Sequence, residues 1–453
     1  MILVPNRRLR LNGNSLLLLL ALLLFSQCNP TKGVTKRNPD TNNPRVDTSP
    51  DVDTVTWKDP LDPEVLEIEP DLDLEVIQIG DLDPNRLGIV LPLNASSISF
   101  YNNQISSRDD AMIQYYAGVK LALRKLESQG REMEVIIKDS EDSADNIDEI
   151  AAEFGRRGVS YIFGGKGRKA VESLANYAKE NGMIYTSGWQ VNSSFIGENE
   201  NYVQFNPGFQ AHALTILRHA LQEFKPEQII LFGSEREASR IDEINRLYME
   251  MTNVNNKLET LIVGDMNELE LLEMKEWKLI GQDGKRRMST NKVFIVPVTR
   301  NYNLIHDFFR FLDFNEMHER SIVYGMTDWN DDKLYSHLNN YDVRLTSFFN
   351  PATAQEYDNF MEQFFNMTGT IPNEKAYEGY NHLLLMADLM RKANSPSALP
   401  NLSLESPGMR VSLVDHNTLE YPKTDDRKKN SYLENQHVYL LDFKNYRYVI
   451  HEY

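Results

Sequence analysis

The stretch FGGKGRKAVESL, residues 163–174, leads into a helical pattern through three glycines and three cations. A helix start offers unpaired backbone N–H groups and partial positive charge, so such a turn is suited to an anion. Gly165 lets the backbone approach a ligand closely, and Lys166, Arg168 and Lys169 add charge. The GxxxxGK[ST] spacing of a nucleotide-binding loop is absent, and a simply solvated basic turn is the other reading. A second turn, YTSGWQVNSS (185–194), offers Thr186 and Ser187 as hydrogen-bond donors and Trp189 as an apolar wall. Farther along, Glu235 follows QIILFGS (228–234), and Asp328 and Trp329 lie in YGMTDWNDDKL (324–334). Carboxylates there suit a ligand's ammonium group, or are plain surface acids.

Covalent chemistry finds little support. The histidines show no HExxH or other metal-binding spacing, no GxSxG elbow is present, and the single cysteine, Cys28, sits at the end of an N-terminal leader. The expectation is a binding protein with no catalytic residues, no cofactor and no metal.

These turns need a scaffold. Apolar runs and helical stripes alternate from RLGIVLPL (86–93) onward: MEVIIKD (133–139), YIFGG (161–165), MIYTSG (183–188) and YVQFNP (202–207), with helical spacing between them. A second set follows, from QIILFGS through KLETLIVGD (257–265), KVFIVPV (292–298) and SIVYGM (321–326) to VRLTSFF (343–349). Strand–helix alternation at this spacing predicts parallel sheets covered on both faces. The end, HVYLLDF–KN–YRYVIHEY (437–453), reads as a hairpin about Lys444 and Asn445. The fold class is therefore α/β: two Rossmann-like lobes with a cleft at the carboxyl ends of their strands.

Charge and leader bound the setting. The 453 residues carry a net charge of -18, which opposes nucleic-acid binding. Arg7, Arg8 and Arg10 precede an apolar run from Leu16 to Phe25, which is too short to span a bilayer. Ending at Cys28, this resembles a bacterial lipoprotein signal in which the cysteine carries the lipid, with Phe25 and Gln27 departing from the usual lipobox. Residues 28–85 are rich in proline and acid, with Lys58 the sole cation from Asp51 to Asp83, and read as an extended tether. NPTKGVTKRNPD after the cysteine lacks the early acidic cluster that resembles a surface-export signal in some Bacteroidetes, so the periplasm is expected, on the inner leaflet of an outer membrane.

The order of elements from Arg86 to Tyr453 resembles the type I periplasmic binding protein family, the leucine/isoleucine/valine-binding class. LGIVLPL looks like its opening strand, AMIQYYAGVKLAL (111–123) like its first helix, and KDSEDSADN (138–146) like its acidic turn. The block from FFNPATAQEY to KAYEGYNHLLLMADLMRKA (348–393) resembles its return to the first lobe and its late helix. The resemblance implies lobes at 86–207 plus 350–430 and at 208–349 plus 431–453, hinged near 207–209, 349–352 and 430–437. It places Tyr377 near the cleft and Tyr380 in the core, with Gly379 allowing another element to approach. It implies capture of a small polar ligand, an amino acid or similar, for an ABC-type transporter or sensor. The family's hydroxyl residue is replaced by cations in FGGKGRK, which points to a more acidic ligand. The alternative is a non-enzymatic interaction lipoprotein of the cell envelope, acting in cell-wall synthesis through the same fold without a ligand.

Overall fold

The computed structural model describes residues 80–97, 106–141, 146–189, 192–193, 195–263, 278–280, 286–288, 292–299, 301–314, 317, 320–329, 334–350, 354–415 and 432–451. The leader, Cys28 and nearly all of the tether lie outside them.

The first sheet has the order β13-β14-β15-β5-β4-β3-β1-β2. Its parallel heart comprises β1 (Asp83–Leu91), β2 (Glu134–Asp139), β3 (Val159–Gly164), β4 (Ile184–Ser187) and β5 (Tyr202–Gln204). β15 (Leu433–Asn435) continues it in parallel, and β14 (Arg410–Asp415) and β13 (Ser403–Glu405) add an antiparallel margin. Near-continuous burial of Leu87–Leu91 and Tyr161–Gly164 follows from helices on both faces. One face carries α1 (Ser107–Ser128) and α9 (Glu374–Lys392); the other carries α2 (Ile147–Arg156) and α3 (Arg168–Glu180).

The second sheet has the order β17-β16-β12-β11-β10-β6-β7. β6 (Ile229–Ser234), β7 (Glu259–Val263), β10 (Lys292–Ile295), β11 (Ser321–Gly325) and β12 (Asp342–Ser347) are parallel. α4 (Phe209–Glu223), α5 (Ala238–Thr252), α6 (Tyr302–Phe314) and the short α7 (Tyr335–Asn340) supply its helices. Between β7 and β10 lies a small antiparallel pair, β8 (Lys278–Ile280) with β9 (Arg286–Met288). The terminal hairpin of β16 (Tyr439–Lys444) and β17 (Arg447–Ile450) turns through Asn445 and Tyr446, one residue later than the sequence pattern indicated. Both have positive φ, 52° and 59°, as a type I′ turn requires, and asparagine accepts that region more readily than lysine.

Three short crossings join the sheets. The chain leaves the end of β5 at Phe205–Gly208, leaves the end of β12 at 348–350, and passes from β15 to β16 at 436–438. The last crossing starts beside β5 and lands at Tyr439, opposite Ser347 at the end of β12. All three therefore lie at the carboxyl ends of the parallel strands, which brings those two edges together. Leu433–Asn435 pairs with β5 in the first sheet, which corrects the expectation that all of 431–453 belongs to the second lobe. The three residues Leu-Glu-Asn carry no marker for which sheet they join; the edge open beside β5 decides it. Buried Asn435 fastens this junction. It donates to Phe205 O (3.0 Å) and Arg410 O (3.1 Å), and accepts from Ser412 N (2.9 Å) and His437 N (2.8 Å). Next to it, the Glu434 carboxylate accepts from Gly208 N at 2.6 Å, at the start of α4.

Helices α1 and α9 cross through two glycines. A Cβ on Gly118 would lie 1.9 Å from Ala376 O, and one on Gly379 would lie 2.1 Å from Tyr115 O. Only glycine permits that approach of backbones. Asn373 caps α9 by accepting from Lys375 N and Ala376 N.

Candidate functional site

At the first lobe's carboxyl edge, β3 ends in a run of left-handed glycines: Gly164 (φ 105°), Gly165 (φ 72°) and Gly167 (φ 88°). Gly164 has no room for a side chain, since a Cβ would lie 2.2 Å from Val90 O. Gly167 is the N-cap of α3 and supplies no side-chain acceptor to the helix's first N–H groups. Lys166, Arg168 and Lys169 are exposed around that start. Arg168 lies over the Phe195 ring (5.0 Å) and 3.9 Å from Glu172, a loose surface pair. The expected turn thus forms: an uncapped helix start, shaped by glycine and ringed by cations.

The second expected turn is arranged differently. Thr186 and Ser187 are both 0% exposed. β4 is covered on both faces, so alternation sends Thr186 toward the α9 side and Ser187 toward Tyr185 and Tyr202. Neither hydroxyl lines an opening. Half-buried Trp189 projects beyond them into a cluster of rings: Tyr115 (5.1 Å between centroids), Phe163 (5.9 Å) and His382 (6.3 Å), with Phe205 against Phe163. His382 Nδ1 and Tyr115 OH are 2.9 Å apart. Burial, with Lys375 nearby, pushes the His382 imidazole down to about 3, so it is neutral. Burial likewise pushes the Tyr115 phenol up. Thr186 Oγ1 and Trp189 Nε1 are buried and find no hydrogen-bond partner among the described residues.

On the second lobe, Glu235 is exposed in the turn after β6, where Ser234 and Glu237 cap each other reciprocally. Arg240 reaches from α5 to Pro297 O (3.1 Å) and Thr299 Oγ1 (2.8 Å), and lies over Phe209 at the first crossing. Trp329 was expected at the cleft, but it is core. It is 0% exposed, packs on Phe309, and its Nε1 donates to Val298 O at 2.7 Å. An indole satisfied in this way has nothing left to offer a ligand. Asp328 belongs to the same turn, but its side chain lies outside the described residues. Tyr377 is half-buried, and its ring packs on Phe360 of α8 (Ala354–Thr368) at 4.6 Å.

The structure therefore brings Lys166, Arg168 and Trp189 to the first lobe's edge and Glu235 to the second's, while Gly165, expected to let a ligand approach, is buried against Leu174. It draws Thr186, Ser187 and Trp329 inward. Tyr115 and His382 were not anticipated. They come from two helices far apart in sequence, and only the glycine crossing brings their side chains together.

The layered sheets and their order match known structures in fold. One is a branched-chain amino acid ABC transporter periplasmic ligand-binding protein from Burkholderia xenovorans, with a TM-score of 0.53 and 15% identity over 81% of this chain and 94% of that one. The fold is that of the type I periplasmic binding proteins. An ABC transporter substrate-binding protein from Desulfitobacterium hafniense, in complex with Leu, shares this fold at a TM-score of 0.51 and 16% identity, over 81% of this chain and 99% of that one. Full-length LpoA from Haemophilus influenzae shares it too, at a TM-score of 0.54 and 10% identity, over 83% of this chain but 60% of LpoA. Residues 106–240 match the family model for periplasmic binding proteins. That span contains the glycine–cation turn and Trp189. Comparison with curated protein sequences finds no match. Among the described residues, no helix is long and apolar enough to cross a membrane.

Proposed function

We propose that this protein is a lipid-anchored solute-binding protein of the periplasm, which captures a small polar ligand bearing a carboxylate or similar anion between its two lobes. The observation that carries this reading is the start of α3. It is an uncapped helix N-terminus flanked by Lys166, Arg168 and Lys169, at the edge where the carboxyl ends of both sheets meet. Such a start supplies backbone donors and positive potential to an anion. In this reading Trp189 forms an apolar wall, and Glu235 from the facing lobe takes a ligand's ammonium group. Closure bends the chain at 205–208, 348–350 and 436–438, and a transporter or sensor reads the closed form. Cys28 carries the lipid, and the acidic tether gives the body reach.

The decisive experiment is a thermal-shift screen of the purified body against amino acids, dicarboxylates, peptides, sugars and cell-wall fragments. A true ligand at 100 times its dissociation constant adds about 2.7 kcal/mol of stability. A second reading, an envelope interaction protein using this fold without a ligand, is favoured by the sealed Thr186 and Ser187 and by the fold shared with LpoA. A panel without a single shift would favour it over solute capture.

A further inference from the structure

At the opposite end of the second lobe, away from the carboxyl edges, α4 ends in HALQE (219–223). His219 and Glu223 lie one helical turn apart on the same face. The last described segment brings His451, just beyond β17, against them, with its backbone N–H donating to Leu440 O at 2.8 Å. We infer that His219, Glu223 and His451 form a binding site for a single borderline divalent transition-metal ion, with Zn2+ the representative case.

The geometry carries this. One ligand atom from each residue lies within 4.8 Å of the others. His219 Nε2 is 3.3 Å from Glu223 Oε1, and His451 Nε2 is 3.8 Å from the same oxygen. Bonds of about 2.0–2.1 Å in a tetrahedral site place neighbouring ligand atoms roughly 3.3 Å apart. The first pair already has that spacing, and the second needs a movement of about half an ångström by an exposed glutamate. Two imidazoles and one carboxylate select zinc-like ions over calcium or magnesium, which prefer all-oxygen sites.

The supporting groups are also of the right kind. His451 Nδ1 lies 2.8 Å from Asp442 Oδ1, the carboxylate–histidine arrangement that aims the other ring nitrogen at a metal. His219 Nδ1 lies 2.6 Å from Tyr324 OH. Arg344 donates to Glu223 Oε2 at 2.7 Å and to Tyr324 OH at 2.9 Å, which leaves Glu223 Oε1 turned toward both imidazoles. Its longer approach to His219 Nδ1, 3.3 Å, yields when that nitrogen carries its proton toward Tyr324. Glu223, Asp342 and Asp442 outnumber Arg344 and Lys444 around the site, so the local charge accepts a cation. Glu223 is 38% exposed, and a cavity of about 370 Å3 bordered by Arg344, Asp442 and His451 adjoins the site, leaving a path for entry.

The test is titration of the tag-free chain with Co2+, read by its visible d–d absorption, followed by displacement with Zn2+. One equivalent is expected to bind with an intense tetrahedral or five-coordinate band. His451→Ala and Glu223→Gln should each weaken binding at least tenfold while circular dichroism stays unchanged. Asp442→Asn removes no ligand and should weaken it by about 10- to 100-fold. The only other close histidine pair among the described residues, His306 and His337 at 3.1 Å, provides the control. His337→Ala should leave the titration unaltered. Octahedral, weak absorption, affinity indifferent to both His451→Ala and Glu223→Gln, or loss of the band in His337→Ala would overturn the assignment and leave an ion-pair network clamping the terminal hairpin.

Discussion

Gly118 and Gly379 face each other's helices so closely that neither can carry a side chain: the Cβ positions fall 1.9 Å from Ala376 O and 2.1 Å from Tyr115 O. The obstacle in each case is backbone, which cannot swing aside. That crossing sets the position of α9, and α9 brings His382 to Tyr115 and Trp189.

Replacing either glycine should therefore be costly although both sit in helices, where alanine is ordinarily the better residue. Gly118→Ala or Gly379→Ala is expected to destabilise the body by about 2–3 kcal/mol, the upper range for overpacking. Urea unfolding gives the value. A neutral or stabilising result would mean that the helices are not in contact there.

Acid should weaken the fold through its buried imidazoles. Burial holds His382 at about 3 and His212 at about 4, both below the ordinary value of 6.5. The unfolded chain then binds protons that the native state refuses. The stability these groups contribute is fully present above pH 6.5 and is lost as pH falls toward their folded values. Each contributes a slope of up to about 1.4 kcal/mol per pH unit. Unfolding midpoints at pH 7 and pH 5 should differ, and His382→Gln should flatten the dependence. A variant whose slope equals that of the parent would show that His382 is accessible to protons.

Asn435 ties β15, β14 and the first crossing together through four hydrogen bonds. Asn435→Ala leaves two carbonyls and two N–H groups without their partner in a buried place. A loss of about 3 kcal/mol or more follows, at about 1–3 kcal/mol for each stranded group with partial relief by water. Asp is the informative second substitution, since it keeps the two acceptor bonds and loses the two donor bonds. It should fall between Asn and Ala.

Much of the architecture could be read from the chain alone. Strand-length apolar runs alternating with helical stripes are a strong signal, and Gly379 was legible as a contact because a glycine inside an apolar helix is otherwise a cost. The glycine–cation turn at 164–169 was also legible, since positive φ and clustered cations both leave their mark in residue type. Thr186, Ser187 and Trp329 were misplaced for one reason. A residue at a strand end can point into the core or out of the edge, and residue type does not distinguish these; only the covering of both sheet faces does. β15 was placed in the wrong half because three residues of strand pattern do not name their partner. His219 and Glu223 form a readable i, i+4 pair, but His451 joins them only through the register of the terminal hairpin.

The central claim is that an anionic ligand rests on the start of α3 between the lobes. Its most direct test is the ligand-induced rise in melting temperature, measured side by side for the parent and for Lys166→Ala/Arg168→Ala. Both substitutions are at exposed positions, so the unliganded melting temperature should be nearly unchanged. The account predicts a rise with an acidic small molecule in the parent and its loss, or at least a tenfold weaker dissociation constant, in the double variant. An equal rise in both proteins would contradict it, as would a parent that responds to nothing in the panel.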